Sequence, residues 1–253
     1  MNIEDLLKDK IKAKKVLEKA LVVGNTDLVK ALIPIVKDPG LTYQYALYFG
    51  GGKVEDEFED IIAQNDYYAL HYAKYILKKP FPKGENILAT NSRYAYEYAR
   101  DILKGRFEKG EDAISKSYTY SFHYASDVLK GRFEKGESVI CKDPELVYLY
   151  ARDILKGRFV EGEKYIIKET RWTYLYADEI LKGRFVEGED IIAKDAWYSY
   201  HYAIDVIKDR FEKGEKAIIE SKDPEGDLVK YIDFLKTINK LDEFLKDHPE
   251  VKL

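Results

Sequence analysis

The dipeptide Tyr-Ala recurs along the chain at a nearly constant spacing, and this repetition constrains the fold more than any other feature. Its tyrosines are separated by 27 residues once and then by 26 residues five times. They are Tyr45, Tyr72, Tyr98, Tyr124, Tyr150, Tyr176 and Tyr202. A fixed period of roughly 20–50 residues marks a repeat protein, in which each unit buries its apolar face only by stacking on its neighbours.

Each repeat contains two helical patterns separated by a short turn. In the copy YAYEYARDILKGRFEKGEDAI (94–114), apolar residues such as Tyr98 and Ile102 recur at the spacing of one helix face. Gly105 stands where a glycine that ends a helix is expected, and Gly110 opens a second helix. The pattern predicts helices of about eleven and about seven residues, which are too short to be stable alone.

The sequence therefore predicts an all-α fold. It is an α-solenoid of about seven 26-residue two-helix repeats, with divergent helical caps at both ends. We expect an N-terminal helical cap over residues 1–40, tandem repeats over 41–225 and a C-terminal capping helix over 226–253, all in one continuous domain.

Both predicted caps lack the Tyr-Ala repeat. In the N-terminal cap an amphipathic helix is followed by a break at Gly24 and Asn25 and by a second helix from Asp27. The apolar residues of the first helix are Ile3, Leu6, Leu7, Ile11, Val16 and Leu17. In the C-terminal cap one longer amphipathic helix is predicted over 228–246, and Asp-Pro pairs at 143–144 and 223–224 mark boundaries between units.

Composition excludes several classes of protein. The 42 basic and 46 acidic residues give a net charge of -4, which argues against a general nucleic-acid binder. No long apolar run is present and the start, MNIEDLLKDK, is charged, so we expect neither a membrane span nor secretion but a cytoplasmic protein. Cys141 is the single cysteine, which excludes an internal disulfide and a cysteine-based zinc site.

A Lys-x-Arg sequence recurs in the turn of the last five repeats, and we call these residues the basic column. Stacking would align them along one edge, where they would bind a nucleotide, a nucleic acid or another phosphate-bearing ligand. The alternative is that each Arg pairs with a Glu of the same period, such as Glu111, which would remove the main support for phosphate binding. The basic column comprises Lys104, Arg106, Lys130, Arg132, Lys156, Arg158, Lys182, Arg184, Lys208 and Arg210.

Two histidines lie four residues before a carboxylate on the first helix of their repeats. His123 precedes Asp127 and His201 precedes Asp205, so each pair shares a helix face. A His and a carboxylate on one helix face could form a proton-transfer pair or half of a metal site, but no third ligand or nucleophile recurs beside these two pairs. We therefore predict no enzyme, no metal and no cofactor, and retain both histidines as candidate binding residues.

Aromatic residues form three columns on the predicted first helices. The Tyr-Ala tyrosines form the first column, and Tyr68, Tyr94, Tyr120, Trp172 and Tyr198 form the second. The third comprises Tyr43, Tyr96, Phe122, Tyr148, Tyr174 and Tyr200. Three columns cover a wide arc, so some aromatic surface is expected to be exposed and available to a partner, with Tyr96, Tyr148, Tyr174 and Tyr200 as candidates. The alternative is that all three columns are core.

Positions that change between repeats are expected to set any specificity. They are Arg100, Ser126, Arg152, Asp178 and Ile204, and they face away from the predicted packing surface.

The phrase YARDILKGRF, followed after two further residues by Gly-Glu, resembles a tandem motif of uncharacterised repeat proteins of large DNA bacteriophages and giant viruses. The resemblance covers residues 41–220, whereas the first repeat and both termini depart from it. It implies a viral protein in the host cytoplasm with a role in manipulating the host, and it brings no catalytic residue or ligand.

The sequence thus favours a non-enzymatic repeat scaffold that binds a host protein, such as a component of a host defence system. The alternative function is sequestration of a nucleotide signal, another phosphate-bearing ligand or nucleic acid through the basic column and exposed tyrosines.

Overall fold

The computed structural model describes residues 9–221 and 226–252. Secondary structure in these ranges is entirely helical, arranged in repeated pairs, which confirms the predicted all-α, solenoid-like repeat fold. No helix in these ranges is long and apolar enough to cross a membrane. The predicted cap residues Ile3, Leu6 and Leu7 and the Asp223-Pro224 boundary lie outside the described residues.

The chain divides into two compact units. Unit 1 is Met1–Gly136 and unit 2 is Glu137–Leu253. The division falls within the helix Glu134–Ile140.

Helices without the regular motif come first in the described part of unit 1. They are Lys10–Val22, Thr26–Val36, Pro39–Tyr48 and Asp56–Ile62. Gly24 has a φ of 70°, and the side chain of Asn25 accepts a hydrogen bond from the backbone N–H of Leu28. This confirms the predicted break before the second helix, because an Asn cap marks a helix start.

The first helix of each regular repeat begins as an α-helix and continues as a π-helix from the Tyr-Ala pair onward. In unit 1 these segments are Asp66–His71 with Tyr72–Leu77, Ser92–Glu97 with Tyr98–Leu103, and Tyr118–His123 with Tyr124–Leu129. In unit 2 they are Pro144–Leu149 with Tyr150–Leu155, Thr170–Leu175 with Tyr176–Leu181, and Ala196–His201 with Tyr202–Ile207. Backbone N–H groups of a π-helix bond five residues back rather than four, so the predicted helices exist but their second halves are wound more widely.

Each first helix ends at a lysine in the left-handed conformation. These are Lys78, Lys104, Lys130, Lys156, Lys182 and Lys208, with φ between 50° and 53°. The prediction that Gly105 ends the helix is therefore wrong by one position. Because the second half of the helix is π-helical, the left-handed residue that ends it is Lys104. The N–H of Gly105 donates to the carbonyl of Ala99 at 3.1 Å, and Asp209 makes the matching bond to Ala203 at 3.2 Å, so this position does not need a glycine.

The second helix of each repeat packs closely on the first. In unit 1 the second helices are Pro82–Gly84 with Glu85–Leu88, then Glu108–Gly110 with Glu111–Ile114. In unit 2 they are Val160–Ile166, Val186–Gly188 with Glu189–Ile192, and Glu212–Ile219. A Cβ on Gly110 would lie 2.5 Å from Cδ1 of Phe107 and 2.7 Å from Cβ of Ala95, so the glycine permits this approach.

A buried polar network joins successive repeats, and we call it the seam network. The N–H of Phe107 donates to the hydroxyl oxygen of Tyr124 at 2.8 Å, and that hydroxyl donates to Oε1 of Glu111 at 3.3 Å. Nε of Arg106 donates to the same Oε1 at 2.6 Å. Tyr124 is 0% and Glu111 is 1% exposed. A buried carboxylate must be paired and hydrogen-bonded, and here the Arg and the Glu come from one repeat and the Tyr from the next.

Equivalent networks recur in both units. The hydroxyls of Tyr72 and Tyr98 in unit 1, and of Tyr150, Tyr176 and Tyr231 in unit 2, donate to a Glu at an equivalent place. Burial raises the pKa of Tyr98, Tyr124 and Tyr202 to about 12, because the phenolate would be poorly solvated there.

The C-terminal cap consists of two helices, Asp227–Thr237 and Leu241–Asp247. The single helix predicted over 228–246 is wrong, because Asn239 adopts a φ of 57° and interrupts it. Tyr231 in the first helix and His248, directly after the second, complete the last seam network. The hydroxyl of Tyr231 donates to Glu215 at 3.0 Å, and Nε2 of His248 lies 2.9 Å from the other carboxylate oxygen of Glu215.

Candidate functional site

The arginines of the basic column lie in ion pairs with the seam carboxylates. Arg106, Arg158, Arg184 and Arg210 donate through Nε to Glu111, Glu163, Glu189 and Glu215 at 2.5–2.6 Å. Three of these pairs are bidentate, with Nη2 bound to the second carboxylate oxygen. Pairing with Glu, the alternative to phosphate binding, is therefore what the structure shows for these four arginines; Arg132 also has an interaction partner.

The lysines of the basic column are exposed. Lys104, Lys130, Lys156, Lys182 and Lys208 form no ion pair within the described residues. They are the left-handed residues that end the first helices. A positive side chain at this place also interacts favourably with the carbonyl groups at the helix C-terminus.

Three of the four third-column tyrosines proposed as exposed partner-binding residues are buried, contrary to that expectation. Tyr96, Tyr148 and Tyr174 are 5%, 2% and 6% exposed. Each hydroxyl bonds to a carboxylate of the next first helix; the distance is 2.6 Å from Tyr148 to Glu179 and 3.4 Å from Tyr174 to Asp205. These bonds join residues 31 positions apart, which explains why one helix pattern did not reveal them. Tyr200 is half-buried.

The first helices present a separate set of side chains that are exposed or half-buried, and we call it the outer face. It comprises the residues five and one before, and two and three after, each Tyr-Ala tyrosine. In unit 1 these are Tyr67, His71, Lys74, Tyr75, Arg93, Glu97, Arg100, Asp101, Thr119, His123, Ser126 and Asp127. In unit 2 they are Glu145, Leu149, Arg152, Asp153, Arg171, Leu175, Asp178, Glu179, Trp197, His201, Ile204 and Asp205.

In unit 1 most carboxylates of the outer face are matched by cations. Asp101 accepts from Nζ of Lys74 at 2.6 Å and from Nε of Arg100 at 2.6 Å. These contacts lower the pKa of Asp101, chiefly through the hydrogen bond from Arg100. Tyr67 and Tyr75 are 45% and 52% exposed, so this face also offers aromatic surface.

In unit 2 the outer face is more acidic. Arg152 pairs with Asp153 at 2.7 Å, whereas Asp178 and Glu179 form no ion pair with Lys or Arg in the described part of the chain. The pKa of Asp178 is raised, first by burial and then by the nearby carboxylates of Asp205 and Glu179. Negative charge therefore accumulates on this part of the outer face.

The predicted His–carboxylate pairs are brought together to different extents. Nδ1 of His201 lies 2.8 Å from Oδ2 of Asp205, and Nδ1 of His123 lies 3.9 Å from Oδ2 of Asp127. Among the described residues no group of three or more His, Cys, Asp or Glu side chains is placed to hold a metal ion. Both pairs belong to the outer face.

Two features of the outer face were missed at the level of sequence. Trp197 is 48% exposed, and its ring centroid lies 4.0 Å from that of His201. Arg100 and Arg152 lie over the rings of Tyr96 and Tyr148, both at 5.0 Å. Both contacts could have been predicted from a spacing of four residues, because residues four apart are neighbours on a helix. The pairs are Trp197 with His201 and Tyr96 with Arg100.

Cys141 is a small buried residue. Burial raises the pKa of its thiol to about 11, which disfavours the reactive thiolate.

Comparison with protein-family models, with curated proteins and with solved structures found no match for this chain.

Proposed function

We propose that the protein is a non-enzymatic recognition scaffold whose outer face binds a partner protein. One observation carries the proposal: a Tyr–Glu hydrogen bond recurs in the seam networks, whereas the outer face differs from repeat to repeat on the same backbone. Exposed Tyr67, Tyr75 and Trp197 on this face are of the residue types that most often anchor protein interfaces.

The partner class we propose is a host protein, with the chain itself viral and acting in the host cytoplasm against a defence component. The support for this is the motif resemblance to repeat proteins of large bacteriophages and giant viruses.

Pull-down from host lysate, followed by native mass spectrometry of the eluted complex, tests the scaffold function. We expect the wild type to retain a stoichiometric partner, and Tyr67→Ala and Trp197→Ala to reduce its recovery. Lys116→Ala, at an exposed turn outside the outer face, is the control and should retain it. Recovery of no partner, or equal recovery by all variants, contradicts the proposal.

A phosphate-bearing ligand is the second candidate, and its remaining support is the set of exposed, left-handed lysines. Binding of labelled nucleotides and single-stranded nucleic acids at low and moderate salt tests it. A specific site should survive the higher salt, whereas a general charge effect should fade.

A further inference from the structure

Two repeats contain an internal arginine that shows how the outer face binds a guanidinium. Nη1 of Arg100 donates to the hydroxyl of Tyr96 at 3.1 Å, while Nε and Nη2 donate to Asp101 at 2.6 and 3.1 Å. The guanidinium also lies over the Tyr96 ring at 5.0 Å. One cation thus combines a bidentate carboxylate bond with a cation–π contact.

The repeat of Tyr150 contains the same arrangement in unit 2. Arg152 donates to the hydroxyl of Tyr148 at 3.1 Å and to Asp153 at 2.7 and 2.8 Å. Its guanidinium lies 5.0 Å from the centre of the Tyr148 ring. The geometry is therefore a recurring property of this position.

The next repeat retains the acceptors but lacks the arginine. Tyr174 stands in the place of Tyr148, and Glu179 in the place of Asp153, but the arginine position is occupied by Asp178. The hydroxyl of Tyr174 bonds to Asp205 at 3.4 Å, a weaker contact than the matching 2.6 Å bond of Tyr148 to Glu179. An acid thus replaces the internal cation.

Charge at this place is not balanced by the chain. Asp178, Glu179 and Asp205 pair with no Lys or Arg in the described ranges, and His201 is the one basic side chain bonded to them there, through Asp205. Burial and the two neighbouring carboxylates raise the pKa of Asp178. An added cation would relieve this repulsion.

An exposed aromatic surface borders the same carboxylates. The ring of Trp197 lies 5.9 Å from that of Tyr174 and 4.0 Å from that of His201, whose Nδ1 is bonded to Asp205. Nearly half of the Trp197 side chain is uncovered. An indole face beside carboxylates suits the flat, delocalised guanidinium better than the compact ammonium of lysine.

We propose that this part of the unit 2 outer face binds an arginine side chain of the partner protein, in the position that Arg100 and Arg152 take in their own repeats. The guanidinium binds Asp178, Glu179 and the Tyr174 hydroxyl, and the neighbouring segment of the partner packs on Trp197. This inference rests on the proposed scaffold function and names the chemistry of its partner.

Titration of the full-length protein with blocked peptides tests this proposal. The probe is a peptide of alternating Arg and Gly, with Lys/Gly and Glu/Gly peptides of the same length for comparison. Binding is followed by calorimetry and by the fluorescence of Trp197 in a Trp172→Phe background. We expect binding in the order Arg, Lys, Glu, with the Glu peptide not bound.

Asp178→Arg is the decisive variant, because it restores the internal arginine. We expect it to be at least as stable as the wild type and to bind the Arg peptide at least about tenfold more weakly, equivalent to about 1.4 kcal/mol. Asp242→Arg makes the same charge change at an exposed residue of the C-terminal cap and should leave the affinity nearly unchanged. If Asp178→Arg does not fold, Asp178→Asn should show the same loss.

Equal weakening by Asp178→Arg and Asp242→Arg overturns the proposal, because net charge alone would then explain binding. Equal affinity for the Arg and Lys peptides also overturns it. If Asp178→Arg leaves peptide affinity unchanged while Trp197→Ala still loses the lysate partner, this inference fails and the scaffold function stands. If Asp178→Arg weakens the peptide but no outer-face variant changes lysate recovery, the arginine site stands and the scaffold function fails.

Discussion

The seam tyrosines and the outer face lie on the same first helices, yet they differ in how much they change between repeats. A buried Tyr hydroxyl bonded to a Glu carboxylate recurs from junction to junction, because each junction must satisfy the same kind of buried polar group. The outer face contains Tyr67 in one repeat, Arg93 in the next and Trp197 in another. The comparison teaches that the repeated phrase maintains the stack, while the chemistry lies in what is not repeated.

Substitution of the packing glycine should have the largest effect. Gly110→Ala places a Cβ against Phe107 and Ala95, so we expect a loss of about 2–3 kcal/mol in the free energy of unfolding. In Gly105→Ala, in the same turn, the added Cβ would lie 3.9 Å from the carbonyl oxygen of Leu103, so we expect almost no change in the free energy of unfolding. Urea denaturation of both variants measures the difference, and equal losses would contradict the packing role of Gly110.

Removal of the hydroxyl of a seam tyrosine should have the next largest effect on the free energy of unfolding. Tyr124→Phe leaves the buried N–H of Phe107 without its acceptor and removes one of the donors to Glu111, so we expect a loss of about 2 kcal/mol in the free energy of unfolding. Tyr118→Phe is the matched control, since Tyr118 is 52% exposed and should change stability little. Thermal unfolding of the two variants checks this, and similar melting temperatures would argue against the buried network.

Most of this architecture could be predicted from the sequence. The period, the two helices and the buried Tyr-Ala column follow from local spacing, and pairing of Arg106 with Glu111 follows from their common period. These features depend on residues close together in the chain or on exact repetition.

Features that depend on contacts between repeats were not predicted. Burial of Tyr96 relies on a bond to Asp127 in the next repeat, and Tyr231 replaces a Tyr-Ala tyrosine at a different spacing. The sequence predicted Gly105 as the residue that ends the first helix, but that residue is Lys104 because the second half of the helix is π-helical. No residue type in the phrase signals that wider turn.

Replacing a left-handed lysine by glycine should have a smaller effect, and it should raise the free energy of unfolding rather than lower it. Lys104→Gly removes the Cβ from a residue with φ of 52°, so we expect a gain of about 1 kcal/mol. Chemical denaturation measures it, with exposed Lys116→Gly, outside the left-handed set, as the control. A loss of stability in Lys104→Gly would show that the lysine side chain has a structural role beyond ending the helix.

The smallest expected effect on stability concerns the outer face and depends on pH. The native pKa of Asp178 is raised, so the folded state binds its proton more tightly and stability falls as pH rises above the ordinary carboxyl range. Asp178→Asn should therefore be slightly more stable than the wild type at neutral pH, by less than about 1 kcal/mol, and the gain should vanish in acid. Melting temperatures across this pH range check it; a gain that persists in acid would exclude charge repulsion as its cause.

We expect the seam to stabilise the fold and the outer face to bind the partner. This is tested most directly by measuring both the melting temperature and the recovery of the partner for two variants of one repeat. Tyr202→Phe removes a seam hydroxyl, and Trp197→Ala removes an outer-face side chain. We predict that Tyr202→Phe lowers the melting temperature but still recovers the partner below that temperature, whereas Trp197→Ala keeps its melting temperature and loses the partner. If Trp197→Ala instead unfolds the protein, or recovers the partner as well as the wild type does, the outer face is not the recognition surface.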